Sequence, residues 1–137
     1  MQIWKIIKIV WVVIDVEFTN SYIPSIYEAL EVKNGENKVV LEVQQQLWDC
    51  VVRTIAMNPV EWLKRGLEVI STEYPIRVPV WEKVLWRMFN VLWEPIDWRE
   101  KPETEFFDPI HREAPKFADL TTKAEVFETW IKVIDLI

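Results

Sequence analysis

Apolar residues in the first half of this chain come in short runs, and several alternate with polar residues at a spacing of two, the spacing of a half-buried strand. Residues 3–13 form a long β-favouring run, and Val12-Val13-Ile14-Asp15-Val16-Glu17-Phe18 ends it in alternation. Turn residues follow at 19–24. Residues 29–32 lead into Asn34-Gly35, and Val39-Val40-Leu41-Glu42-Val43 comes after it. Two apolar runs around Asn-Gly predict a hairpin, because both residues tolerate the positive φ of a two-residue turn. Residues 50–57 read as a strand with β-branched side chains on both faces. Residues 67–71 and 76–80 read as two shorter strands separated by 72–75. Many short strands at close spacing predict a barrel or a sandwich.

The pattern changes near Pro79. Residues 84–92 make one more apolar run. Residues 94–115 are rich in charge and carry Pro95, Pro102, Pro109 and Pro115, so they read as a long surface connection. Loops of that length usually serve a function or a larger context. Residues 121–130 have helix-compatible spacing, with Thr121 or Thr122 as a cap. The chain ends on Ile131-Lys132-Val133-Ile134-Asp135-Leu136-Ile137, an apolar stretch that reads as a cut rather than a domain end.

Half of the 137 residues are hydrophobic, enough for a packed core. The net charge of −6 argues against nucleic acid as a partner, since that role needs a basic patch to displace counterions. No apolar stretch is long enough and free enough of charge to predict membrane insertion, and no signal-peptide pattern is present. The single cysteine, Cys50, closes no internal disulfide. With His111 as the one imidazole, a zinc site is not expected. The composition is odd in one respect: two glycines, Gly35 and Gly66, stand against nine tryptophans. A β-rich domain normally needs glycine at turns and bulges.

Candidate chemistry is sparse. Asp15 and Glu17 alternate with apolar residues and read as a solvated strand face rather than a catalytic carboxylate pair. His111, in Pro109-Ile110-His111-Arg112, reads as a loop hydrogen-bonder, because no nucleophile or second base accompanies it. Cys50 at a strand start reads as a half-buried small hydrophobe with nothing basic to make a thiolate. Arg53, Lys64 and Arg65 read as scattered surface charges. Trp4 and Trp11, and Trp86 and Trp93, are seven apart; in strands that spacing puts them on opposite faces, so they build no shared stacking platform. Core filling or self-association is the expected use of the tryptophans.

A set of motifs spans nearly the whole chain. Val13 to Phe18, then Ile23-Pro24-Ser25-Ile26-Tyr27-Glu28-Ala29-Leu30, resembles the opening of the β subunit of bacterial and mitochondrial ATP synthases. Leu41-Glu42-Val43-Gln44-Gln45-Gln46-Leu47 and Val51-Val52-Arg53-Thr54-Ile55-Ala56-Met57 are similar to that family as well. So are Arg65-Gly66-Leu67, Val78-Pro79-Val80, Asn90-Val91-Leu92, Glu94-Pro95-Ile96-Asp97, Ile110-His111-Arg112-Glu113-Ala114-Pro115 and Ile131 to Leu136. The departures are systematic. The family has glycine where this chain has Trp4, Trp11, Trp48, Trp62, Trp81, Trp86, Trp93 and Trp130, and usually also near Asp49, Cys50, Asn58, Glu100 and Glu103. This reads as an engineered, glycine-depleted sequence. Such strain implies either that most sites do not need positive φ or that the barrel is rearranged or oligomeric, with several tryptophans packed together or against a partner chain.

The resemblance implies a mainly β fold: a six-stranded closed β-barrel over residues 1–80, then a partial, loop-rich α/β segment over 81–137, the truncated start of a nucleotide-binding domain, either poorly anchored or packed in a non-native way. It implies a non-catalytic assembly module whose natural context is ATP synthesis coupled to proton transport. The partners would be neighbouring ATP synthase subunits or a second copy, and the location cytoplasmic and peripheral to the membrane, unless the protein is recombinant only. No catalytic, cofactor-binding or metal residue is carried over, and no cofactor is expected. The family's phosphate-binding loop, GxxxxGK[ST], cannot be built from Gly35 and Gly66. The alternatives are a designed folding-test protein without biological activity and a weak nucleotide-binding fragment.

Overall fold

The computed structural model describes residues 4–19, 22–35, 37–47 and 50–120, together with Lys123, Val126, Glu128 and Thr129. Six strands close into an antiparallel barrel: β1 (Trp4–Val10), β2 (Val13–Glu17), β3 (Glu28–Asn34), β4 (Asn37–Gln46), β5 (Val51–Ala56) and β6 (Glu68–Pro75). The order around the barrel is β1-β2-β5-β4-β3-β6, and β6 returns to β1 through Trp4↔Val69 and Lys5↔Glu68. Closure leaves no free sheet edge, which removes the hazard of edge-to-edge association.

The period-two pattern decides which side chains fill the interior. Ile14 and Val16 of β2, Leu30 and Val32 of β3, Val39, Leu41 and Val43 of β4, Val52 of β5 and Val69 of β6 are all fully buried. Phe18, Ala56 and Leu63 complete this core, and Trp62 packs against it. Thr54 is the polar member, and its hydroxyl donates to the Ile14 carbonyl at 2.8 Å. Trp4 also lies inside, 1% exposed, with its ring 6.0 Å from those of Phe18 and Tyr22. Its Nε1–H is a buried donor without a partner. Register shifts in the β1–β2, β3–β6 and β4–β5 pairings bend the strands toward closure.

The expected hairpin forms, and one expected strand is divided into a second hairpin. β3 and β4 pair from Ala29↔Glu42 to Asn34↔Asn37 around Gly35, whose φ is 63°. The run at residues 3–18 is two strands, not one: Val10 pairs with Val13 across the two-residue loop Trp11-Val12. Trp11 has φ 59° and Val12 does not share the positive region, the pattern of a turn whose first central residue is normally glycine. Residues 72–75 are not a break between strands but the end of β6, which bends at Glu73 (φ 62°).

Beyond the barrel, β7 (Arg77–Pro79) pairs with β8 (Phe107–Pro109) in a separate two-stranded sheet. Residues 76–80, read as one more strand of the same series, thus join the later segment. The apolar run at 84–92 is no strand; it follows the short 3₁₀ turn Glu82–Val84 and makes one bridge, Phe89↔Pro95. Among the described residues helix is confined to that turn and to Phe117–Asp119. The helix expected at 121–130, with its caps Thr121 and Thr122, lies largely outside the described residues, as do Trp48, Asp49, Trp130 and the apolar end 131–137.

Candidate functional site

The barrel's outer surface carries the features that bear on function, in three regions. The first is the β2–β5 face. Asp15, expected on a solvated face, is 6% exposed. It stands opposite Arg53 in the register, and Arg53 Nε and Nη2 donate to its two carboxylate oxygens at 2.9 and 3.2 Å. The pair covers the strand face instead of leaving Asp15 in water, and Arg53 is its partner rather than a scattered surface charge. Glu17, Lys64 and Arg65 are exposed as expected. Cys50 is half-buried just before β5, as expected, but its φ is 60°.

The second region is the seam where the later segment covers β3 and β4. Val40 and Glu42 point outward from β4, yet both are buried, because Ile76, Met57 and Leu92 cover Ala29 and Val40. His111 reaches the same face. Its Nε2 lies 2.9 Å from Glu42 Oε1, and its ring stacks on Tyr27 with centroids 3.9 Å apart. His111 is therefore the loop hydrogen-bonder the sequence suggested, and its bond fastens the later segment to the barrel. Arg87 and Asp97 brace that segment. Arg87 Nη2 donates to Asp97 Oδ1 at 3.1 Å and to the Glu100 carbonyl at 2.7 Å, while its Nε donates to Asp97 Oδ2. Residues 87–111 of the later segment are therefore anchored, by Leu92 and His111 against the barrel and by the Arg87–Asp97 pair within the segment.

Two predictions arise here. The hydrogen bond from Arg87 holds the Asp97 carboxyl down at about 2, below its ordinary 3.8. A carboxyl depressed in the folded state adds stability that is complete above its ordinary value and is lost as pH falls through about 2. A carboxyl-detected NMR titration of the intact chain therefore shows Asp97 titrating near the bottom of that window, and Arg87→Gln moves it up toward the ordinary range. A midpoint that Arg87→Gln leaves in place contradicts the assignment. His111→Ala leaves the Glu42 carboxylate with only its bond from Gln44, at a cost of about 1–3 kcal/mol for the lost partner. The Ile110 N–H, which donates to the Ile76 carbonyl at 3.0 Å, then exchanges faster with solvent.

A buried network missed by the sequence reading pins the entry to β3. Glu28 is 3% exposed; its Oε2 accepts from Tyr22 Oη and the Ser25 N–H, each at 2.9 Å, and its Oε1 accepts from Ser71 Oγ. Burial, and then the Glu28 carboxylate, push the Tyr22 phenol above its usual value. The only sequence signal was a charged residue at the start of an apolar run.

The third region is apolar and open. Val10, Trp11 and Val12 at the β1–β2 tip are 55%, 86% and 44% exposed, beside Ile55 on β5. Ile23, Ile26 and Ile70 are also exposed. An exposed apolar cluster such as the one at the β1–β2 tip marks an interaction site. Among the described residues the tryptophans divide between core filling, by Trp4 and Trp62, and positions nearer the surface. Trp4 fills the core, Trp81 stacks on Phe106 and Trp93 lies near Phe89, while Trp86 and Trp98 are 87% and 93% exposed. Among the described residues positive φ is kept at Trp11, Trp81, Trp86 and Trp93 while the six strands still close into a barrel, so most of these sites do adopt positive φ and the barrel is not rearranged.

Among the described residues no group of three or more His, Cys, Asp or Glu is placed to hold a metal ion. No described helix is long and apolar enough to cross a membrane. The cleft beside Trp81, Lys83, Thr104 and Phe106 pairs no nucleophile with a base; Lys83 Nζ there donates to the Glu103 carbonyl.

A closed six-stranded antiparallel barrel, with its outer face rather than an internal site bearing the chemistry, is the setting for the comparison with known families. Residues 6–73 match the ATP synthase alpha/beta family, beta-barrel domain. The chain belongs to that family. The match begins in β1 and ends within β6, so it takes in all six strands of the ATP synthase barrel. Multi-subunit assembly is the setting of this ATP synthase domain, and the matched domain is not the catalytic one.

Proposed function

We propose that this chain acts as the N-terminal assembly module of an ATP synthase β subunit. The barrel strands end at Pro75, and the segment beyond them is the start of the nucleotide-binding domain. The barrel itself does no chemistry. It holds its place beside neighbouring α-type and β-type barrels and so keeps a catalytic ring together. Its context is ATP synthesis coupled to proton transport, at the cytoplasmic or matrix face and peripheral to the membrane. The observation that carries this reading is the joint one of family and surface: an ATP synthase barrel that leaves Val10, Trp11 and Val12 exposed at the β1–β2 tip.

The contacts proposed for this surface make a direct demand. Charge placed at the tip, as Val10→Lys with Val12→Lys, leaves the barrel folded, because both side chains are largely outside the core. It weakens association with an α-type barrel by at least tenfold, since an unpaired charge buried in an interface is strongly unfavourable. Unchanged association would place the contact elsewhere. The weak nucleotide-binding reading is separated by isothermal titration with Mg·ATP. The assembly reading expects no saturable heat; saturable micromolar binding contradicts it.

A further inference from the structure

The assembly role makes no use of the tryptophans, yet their backbones have a shared property. Trp11, Trp81, Trp86, Trp93 and Trp98 have φ of 59°, 98°, 61°, 60° and 62°. Gly35 and Gly66 have φ of 63° and 84°. The left-handed region is open to glycine and is a genuine outlier for a bulky side chain. A single bulky residue can be held there by what its side chain packs against. Burial at three of them is slight: Trp11, Trp86 and Trp98 are 86%, 87% and 93% exposed, while Trp81 stacks on Phe106 and the half-buried Trp93 lies near Phe89.

Three other non-glycine residues share the region, and each is of a different type: Tyr27, stacked on His111; Glu73, whose N–H is bonded to Ser71 Oγ; and Cys50. They look like individual cases. The tryptophans do not. Glycine codons lie one base away from codons for Ala, Ser, Arg, Val, Asp, Glu, Cys and Trp, so independent mutation at five glycine sites would scatter among these types. One codon with two meanings yields one type everywhere. UGA is such a codon: reassigned genetic codes read it as tryptophan in some cells and as glycine in others.

We propose that Trp11, Trp81, Trp86, Trp93 and Trp98 stand at UGA codons that the source cell decodes as glycine. The protein made in those cells then carries glycine at all five positions. The β1–β2 tip and the 81–98 loops are bare backbone there, able to approach a neighbouring subunit closely. Trp4 and Trp62, which do not share the positive φ, stand outside the inference.

The test is to read the codons in the source DNA and to sequence, by tandem mass spectrometry, the peptides of the protein isolated from the source cells. The expected result is UGA at all five codons and glycine residue masses at positions 11, 81, 86, 93 and 98. UGG codons at these positions, as deliberate substitution would place, overturn the inference. So do tryptophan masses in the native peptides. Neither result bears on whether the barrel associates with its neighbours, which the charge substitutions at the tip decide separately.

Discussion

Trp11→Gly stabilises the barrel by about 1–2 kcal/mol, although it deletes the largest side chain of the hairpin tip. A non-glycine residue in the left-handed region costs about 1–3 kcal/mol, and glycine gives back about 0.5–1 kcal/mol of that through its freer unfolded chain. Little burial is lost, because the indole is 86% exposed. A shift of the urea midpoint to higher concentration with an unchanged slope is the expected reading. Trp86→Gly and Trp98→Gly act the same way, but their gain appears as slower hydrogen exchange of the 84–99 loops. Trp62→Gly is the control. Trp62 packs against the core and does not share the positive φ, so glycine there destabilises. Equal effects at Trp11 and Trp62 would remove the backbone argument.

The second large effect has the opposite sign. Leu41→Ala destabilises the barrel by about 2–5 kcal/mol, because a closed wall cannot collapse onto the space that a leucine leaves. Leu41 is fully buried, and its strand is paired on both sides, with Leu30 and with Ala56. A loss of that size is a large share of the roughly 5–15 kcal/mol that stabilises a typical domain. Equilibrium unfolding followed by far-ultraviolet circular dichroism reads it. A cost below 1 kcal/mol would show that Leu41 does not face a packed interior.

How much of this was legible in the sequence follows the physics of each element. Residues 14–18 alternate because a barrel wall has an inside and an outside, and Asn34-Gly35 declares its hairpin through backbone freedom. Those signals are local, and they were readable. The β1–β2 hairpin was not, because tryptophan occupies the position at which a turn would ordinarily announce itself by glycine. Residues 76–80 have the same β character as the barrel strands, and their pairing with Phe107–Pro109 depends on a partner some thirty residues on, which no local pattern names. The candidate chemistry divides in the same way. His111 was readable as a hydrogen-bonder, but its acceptor, Glu42, lies in a distant strand. Asp15 was read as solvated because alternation says which face it occupies and not that Arg53 covers that face. Glu28 and the Arg87–Asp97 pair gave no distinguishing sequence signal, since both depend on tertiary contacts alone.

The proposed role of this ATP synthase barrel is to bind its neighbours. Light scattering coupled to size-exclusion chromatography tests it most directly, on the chain alone and mixed with an α-type barrel from the same assembly. The prediction is a mixed species of defined mass that the charged substitutions at Val10 and Val12 abolish. If the two elute separately at every concentration, with the barrel folded, the assembly role is contradicted.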